Sequence, residues 1–248
     1  IFEAPPLLDH RDRKKFFEFS KSLLEIAQTL RNPVNRIYFL VSCGYFRASR
    51  RFFSQKDFHQ RDIEYVAGHL DVALDGSQTE VYTDRSRQRH QKLILDFYGF
   101  RPFDADTEKT LNFEISAMVR THLKPKLIFD RCIDFLVQNR VQVPKAGTLI
   151  ELVRSGLHTR KAEIIALMDV HLSDKTRQLL DMLFTTPDNQ NQYRLTLLKK
   201  LSHSTKPSRV RECVTDFGTL SELYNQLEGI LAVIDLGHAG IRYYAGSV

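Results

Sequence analysis

Apolar residues recur at three- and four-residue steps along almost the whole chain, which places them on one face of an α-helix. The first helix is predicted to start after Asp9, a capping residue, and to run to Leu30. Asn32 and Pro33 are expected to end that helix and open the next, because proline suits the first turn of a helix. No stretch shows the sustained two-residue alternation of a strand. The pattern therefore predicts an all-α protein.

Later helices carry similar start and stop signals. Thr83 or Asp84 is expected to cap a helix that Gly99 ends, and Asp104 or Asp106 is expected to begin another. The pattern over Thr148–Leu172 predicts a pair of helices bent near Gly156.

Three stretches are typical of boundaries between small helical modules: the turn at Asp75–Ser77, the extended Val141–Pro144 and the polar Thr186–Asn191. The predicted divisions are a first module at 1–75, a second at 79–142, a third module or connector at 143–205, and from 206 to 248 the start of a following helical domain that could serve dimerisation.

Composition excludes several classes of protein. The chain has 248 residues, 42% of them hydrophobic and 27% charged, which is ordinary for a globular protein of two or three packed units. The longest apolar runs, such as Gly229–Leu236, are too short to cross a bilayer. Cys43, Cys132 and Cys213 are far apart and odd in number, which argues against a disulfide framework. Each cysteine is expected to be a small buried apolar side chain in a reducing compartment.

The net charge of +6 is unevenly distributed, with 6 Lys/Arg against one acidic residue over 36–61. Separate basic blocks indicate more than one contact with a polyanion, although charge alone does not identify it. In the most basic run, Gly44–Phe58, aromatic side chains alternate with Arg47, Arg50 and Arg51. The aromatics are expected to pack on a core and to leave the three arginines on one outer surface. Arginines held in this way suit phosphate oxygens, but a solvated basic face beside a small core would show the same pattern.

A second basic cluster follows the predicted cap at Thr83, where Arg85, Arg89 and Lys92 have the spacing of one helix face. A helix start with arginines and a glutamine can contact phosphate and a DNA groove, whereas a solvated helix without a partner is the alternative. A weaker third cluster lies around Lys145 and Thr148.

No enzyme motif is present. The sequence has no HxxxH or HExxH zinc spacing, no phosphate-binding glycine loop and no GxSxG elbow. Asp130 and Asp134 lie one turn apart, but they are expected to be surface charges. No active site can be nominated.

Many short motifs resemble the amino-terminal region of transposases of the Tn-three family (class II, replicative), most specifically over 2–70. The matching segments are Phe2–Pro6, Arg13, Phe16–Phe17, Asn35–Leu40, Gly44–Arg47, Arg50–Phe53, Phe58–His59, Asp62–Ile63, Tyr65–Ala67, Arg89–His90, Ile94–Leu95, Gly99–Phe103, Pro144, Thr148–Leu149, Tyr193–Leu195, Leu198–Lys199 and Ile241–Ala245.

The resemblance implies that this region binds the transposon's terminal inverted repeats as double-stranded DNA. Helix-turn-helix-like modules are expected, because that motif suits three-helix blocks of roughly 60–70 residues that read duplex DNA. In such transposases the catalytic carboxylates, and the divalent metal such as Mg²⁺ that they hold, lie far toward the carboxyl end. No cofactor is therefore expected in this chain, which would be a non-catalytic fragment of a transposase. The full-length protein is expected to be a cytoplasmic homodimer without membrane contact, associated with the bacterial nucleoid when bound to DNA.

The residues expected to contact DNA combine the three basic clusters with nearby polar side chains. They are Arg36, Arg47, Arg50, Arg51, Lys56, His59, Arg61, Thr83, Arg85, Arg87, Gln88, Arg89, His90, Lys92, Lys145 and Thr148. Two rival hypotheses remain open: a helical scaffold whose basic faces bind an acidic protein, and an intact nuclease or recombinase with its site in this chain.

Overall fold

The computed structural model describes residues 4–72, 82–121, 123–186, 192–198 and 206–234. Within these ranges the secondary structure is helical, with a single isolated bridge between Arg101 and Val141. The α-helices are α1 His10–Phe16, α2 Lys21–Gln28, α3 Pro33–Ser49, α4 Gln60–His69, α5 Asp84–Tyr98, α6 Ala105–Arg120, α7 Pro125–Gln138, α8 Ala146–His171, α9 Asp174–Leu183, α10 Arg194–Leu198 and α11 Pro207–Ile234, and a 3-10 turn spans Gln55–Asp57. The all-α prediction is confirmed.

Several predicted helix ends are confirmed by their capping contacts. The Asn32 side chain accepts the Val34 amide at 2.8 Å, and Pro33 is the first residue of α3. Thr83 caps α5, and Gly99 ends it in the left-handed conformation with φ 66°. Asp104, rather than Asp106, accepts the Thr107 amide at the start of α6.

Two predictions about helix continuity were wrong. The single helix expected from Asp9 to Leu30 is divided into α1 and α2, because Ser20 caps a new helix by accepting the Leu23 amide. The helical pair expected around Gly156 is one helix, α8. The proposed linker at Asp75–Ser77 lies outside the described residues, as does most of the loop Thr186–Asn191.

The chain divides into two compact units. The first comprises residues 1–119 and 123–156. Its centre is α3, which buries ten side chains or glycine positions and therefore has almost no solvent-facing side. The core around α3 includes Leu23 of α2, Val66 of α4 and Ile94 of α5. α6, α7 and the first part of α8 bury further aliphatic side chains, namely Leu111, Ile115, Ile128, Leu136 and Leu149.

A buried ion pair ties the start of the chain to this unit. Asp62 of α4 is 1% exposed and accepts hydrogen bonds from Arg13 Nε at 2.7 Å and from the Tyr45 hydroxyl at 2.8 Å. Because both carboxylate oxygens have partners, the cost of burying this charge is offset.

The second unit comprises residues 120–122 and 157–248. Ile164 and Ile230 are buried there, with Leu167, Met168 and Leu227 packed against them. Polar contacts join α9 or α10 to α11: Lys175 pairs with Glu222, Thr176 bonds Gln226, and Arg194 pairs with Asp216 at 2.8 Å.

The cysteines follow the sequence prediction in part. Cys43 and Cys132 are buried, and burial raises the pKa of the Cys132 thiol to about 11. Cys213 is exposed on α11, so the expectation that it is buried was wrong. Among the described residues no helix has the length and hydropathy to span a bilayer.

Candidate nucleic-acid interface

The helix α5 has one buried side and one exposed side, and the difference follows from its sequence. His90, Ile94 and Leu95 face the core and are at most 6% exposed. On the opposite side the residues at steps of three and four are polar. Thr83 fixes where the helix begins, because its hydroxyl accepts the Ser86 amide at 3.3 Å.

The exposed side of α5 carries a stripe of cations, which we call the α5 basic face. It consists of Arg85, Gln88, Arg89 and Lys92, all solvent-exposed. Within the described part of the chain none of the three cations makes an ion pair with a carboxylate. Arg87, which projects from a different side and is half-buried, pairs instead with Asp84 at 3.1 Å. The α5 basic face therefore offers three uncompensated charges and one amide on a single helix side.

His90 anchors this helix and is itself withdrawn from solvent. It is 2% exposed, its Nδ1 lies 3.1 Å from the Tyr82 hydroxyl, and its ring meets Phe39 edge-on at 5.4 Å. Burial, together with the neighbouring charge of Arg89, lowers the pKa of His90 to about 4. The buried imidazole therefore packs α5 against the core and is not exposed to a phosphate at the surface.

One further predicted cation lies beside the start of α5. A shallow cleft of about 210 Å³ is lined by Lys56 together with Thr83, Asp84 and Arg87. The sequence placed Lys56 in the first basic cluster and Thr83 in the second, and the structure brings them together. An exposed ammonium next to a helix amino terminus adds to the positive potential there.

Several arginines of the first basic cluster, Gly44–Phe58, and the nearby Arg36 bind to other groups of the protein itself. Arg36 Nε donates to the Leu30 carbonyl at 2.7 Å, and Arg47 donates to the carbonyls of Phe16 and Glu18. Arg51 is 6% exposed and lies over the Phe53 ring at 5.4 Å. The expectation of three arginines on one outer surface is therefore wrong for Arg51. Arg51 is buried against an aromatic ring, whereas Arg36 and Arg47 bond to carbonyls at helix ends, which lack partners within the helix and accept bonds from nearby arginines.

Arg50, another member of that cluster, is half-buried and lies against an aromatic ring. It ends α3 in the left-handed conformation, and its guanidinium lies 5.4 Å from the centre of the Phe100 ring. Arg140, an exposed residue just after α7, lies 5.5 Å from the centre of the same ring. Sequence reasoning missed Arg140. Its one signal was its position immediately before the extended Val141–Pro144.

The remaining predicted residues lie at other helix starts. His59 precedes α4, where its Nε2 lies 3.2 Å from the Pro5 carbonyl oxygen, and Arg61 is exposed on the first turn. Both line a broad cleft of about 540 Å³ with Leu7 and Asp9. Lys145 and Thr148 are exposed at the start of α8.

The described residues do not provide a divalent-metal site. No group of three or more His, Cys, Asp or Glu side chains converges within them. Asp62, the one buried carboxylate among the residues that the structure describes, is already bonded to Arg13 and Tyr45. The Mg²⁺ expected of a full-length transposase therefore does not fit the residues seen here.

Comparison with known proteins relates the chain to a transposase. It is 23% identical over 189 residues to the transposase for transposon Tn1546 of Enterococcus faecium, an alignment that covers 75% of this chain and 19% of that protein. The chain thus spans about a fifth of the length of that relative. The family model described as "Domain of unknown function (DUF4158)" matches residues 1–156, which include α1 to α7 and the start of α8. The chain therefore belongs to the DUF4158 family and is related to transposases.

Proposed function

We propose that this chain binds the terminal inverted repeats of a transposon as the amino-terminal part of a transposase, with α5 as the helix that reads the DNA. The observation that carries the proposal is the α5 basic face, in which Arg85, Gln88, Arg89 and Lys92 are exposed together without carboxylate partners in the described part of the chain. The relationship to the transposase for transposon Tn1546 supplies the biological context.

The residue types on this face match the chemistry of base edges. An arginine can donate two hydrogen bonds to O6 and N7 of guanine, and a glutamine can pair with N6 and N7 of adenine. In helix-turn-helix proteins the amino-terminal half of the recognition helix carries such contacts. The four residues of the α5 basic face all lie in the first nine positions of α5.

The proposed modules would act as one packed unit. His90 and Ile94 of α5 share a core with Phe39 of α3, so the contacts of the first two predicted modules would be held together rather than joined by a flexible linker. The helix-turn-helix-like character of these modules, their boundaries, and the homodimer of the full-length protein are parts of the proposal. Strand cleavage would belong to another part of the transposase.

Replacing residues of the α5 basic face tests whether it reads sequence. Duplexes selected from a random pool by the intact chain would supply a preferred site, against which Gln88→Ala and Arg89→Ala are measured by fluorescence anisotropy. Each substitution should cost about 1–3 kcal/mol on the preferred duplex and much less on a random duplex, because a base contact discriminates between sequences. Lys109→Ala is the matched control, since Lys109 is exposed on α6 and already paired with Asp106 at 3.2 Å.

Three outcomes contradict the proposal. Selection that yields no duplex preferred over the random pool by about tenfold would remove specific recognition. Equal losses of affinity on the preferred and random duplexes would show that the α5 basic face contacts phosphates and does not read bases. An acidic polypeptide that displaces the duplex at equal charge concentration would favour a scaffold for an acidic protein.

A further inference from the structure

Three helix carboxyl ends meet at one place in the first unit. α3 ends at Arg50, α5 ends at Gly99, and α7 is followed by Arg140. Three backbone hydrogen bonds connect the segments that leave these ends. The Arg101 amide donates to the Arg140 carbonyl at 2.8 Å, the Gln142 amide to the Arg101 carbonyl at 2.9 Å, and the Val143 amide to the Arg50 carbonyl at 2.9 Å. The backbone positions of Arg50 and Arg140 are therefore fixed relative to one another.

Arg50 and Arg140 both occupy the left-handed region, with φ 57° and 54°. Glycine is favoured there because a side chain on Cβ is strained in that conformation. Arg50 satisfies the end of α3 by donating its amide to the Phe46 carbonyl at 2.8 Å, and glycine would do the same. The backbone thus gives no reason for arginine at either position, so the reason must lie in the side chains.

Both guanidinium groups contact the same aromatic ring. They lie 5.4 and 5.5 Å from the centre of Phe100, which is itself 7% exposed and packed edge-on against Phe46 at 5.3 Å. Two like charges that share one ring repel each other. The pKa of Arg50 is lowered from its ordinary value chiefly by burial; Tyr98 acts to raise it, and Arg140 and Arg47 act to lower it. In the described part of the chain no carboxylate pairs with either guanidinium.

We propose that Arg50 and Arg140, supported by Phe100, form a clamp for a backbone phosphate of duplex DNA. This inference rests on the proposed function and adds a contact that is independent of base sequence. A phosphate between the two guanidiniums would neutralise their repulsion, and each guanidinium can donate two parallel hydrogen bonds to phosphate oxygens. The ring limits the rotation of both side chains, so less conformational entropy is lost on binding.

The clamp and the α5 basic face lie toward opposite ends of one helix. Arg85 is near the start of α5 and Phe100 is just past its end. At 1.5 Å per residue this separation is roughly 20 Å, which corresponds to about six base pairs along a duplex. Two contacts at that spacing would fix the register of α5 on the DNA.

The salt dependence of duplex binding tests the clamp. With the intact chain and a random-sequence duplex, the slope of log K against log salt should fall in magnitude by about 0.9 for the double variant Arg50→Ala/Arg140→Ala, because the clamp holds one phosphate. Arg140→Ala and Arg50→Ala alone should each lower the slope by part of that amount, because one arginine remains. Arg140→Lys should retain most of the slope because it keeps the charge. Arg131→Ala on α7 is the control, since Arg131 is exposed and lies over no aromatic ring in the described part of the chain. Its slope change should be smaller than that of Arg140→Ala.

Arg140→Gly separates binding from folding. Glycine suits the left-handed backbone, so the thermal midpoint should be retained or raised while the slope still falls. A changed midpoint with an unchanged slope in these variants would show that the arginines only stabilise helix ends, and the clamp would be overturned. If the duplex binds and the α5 substitutions weaken it but the Arg50 and Arg140 variants do not, the clamp alone fails. If the intact chain binds no duplex, the proposed function fails with it.

Discussion

His90 connects the apolar core to the basic face of its helix, and its protonation sets how the protein responds to acid. It is 2% exposed, beside Tyr82 and Phe39, and burial with the nearby Arg89 lowers its pKa to about 4. In the unfolded chain the imidazole would titrate near 6.5. Between these two values the unfolded state binds a proton that the folded state does not, so stability falls as the pH falls through this window.

Urea unfolding at pH 7 and at pH 5 measures this contribution. The free energy of unfolding should fall by roughly 2 kcal/mol more in the parent protein than in His90→Phe, which has no proton to bind and keeps an aromatic ring. Because phenylalanine cannot bond to the Tyr82 hydroxyl, the free energies of unfolding of His90→Phe and of the parent protein are first compared at pH 7. Identical pH dependence in the two proteins would mean that His90 is not held neutral.

Arginine side chains also show where sequence reasoning reaches its limit. Spacing alone identified the shared face of Arg85, Arg89 and Lys92, because helical periodicity fixes side-chain direction. It could not identify that Arg47 and Arg36 bond to carbonyls at the ends of other segments. A long, flexible side chain finds such partners only after the helices have packed.

At the scale of the helix, capping residues predicted where helices end, whereas the spacing of apolar residues did not show where one helix stops and the next begins. Asn32 and Gly99 mark helix ends in the sequence and in the structure, because each acts through its own backbone or side chain. The apolar pattern around Phe17 continues through the break between α1 and α2. Phe17 packs edge-on against Tyr45 at 5.9 Å, so it contributes to the core from the turn between the helices. Apolar residues at helical spacing therefore indicate which side chains are buried, but they do not show that a single helix continues through them.

The packing of Phe17 on α3 predicts a strong requirement for glycine at position 44. A Cβ added to Gly44 would overlap the Phe17 ring, which is 2% exposed and enclosed by Phe19 and Tyr65. Gly44→Ala should lower the free energy of unfolding by about 1–3 kcal/mol, as overpacking of a filled core does. Chemical unfolding followed by circular dichroism provides the measurement.

Gly68 supplies the matched control. It lies on α4, and no atom of another described segment is near the position of an added Cβ, so Gly68→Ala should stabilise the protein by about 0.5–1 kcal/mol through helix propensity. A Gly44→Ala protein as stable as Gly68→Ala would show that Phe17 can move aside, and that α1 is less tightly packed than the structure indicates.

At the scale of the whole molecule, two independent boundaries nearly coincide. The family match covers residues 1–156, and the first compact unit comprises residues 1–119 and 123–156. The α5 basic face, Arg50 and Arg140 all lie within both. The sequence predicted only a bend near Gly156 and no boundary between modules there, because the boundary falls inside the continuous helix α8. The first unit is therefore the part of the chain in which the proposed DNA contacts can be tested separately.

A chain ending after His158 should retain duplex binding, because every proposed contact precedes this residue and the buried Leu149 and Val153 of α8 are kept. Its affinity for the preferred duplex should remain within about tenfold of the parent, and its salt slope should be unchanged. Cooperative thermal unfolding of the shortened chain is required first. A folded shortened chain with a salt slope lower by about 2 would place at least two phosphate contacts in the second unit. A folded chain with unchanged slope and lost sequence preference would instead show that the second unit orients α5 on the bases.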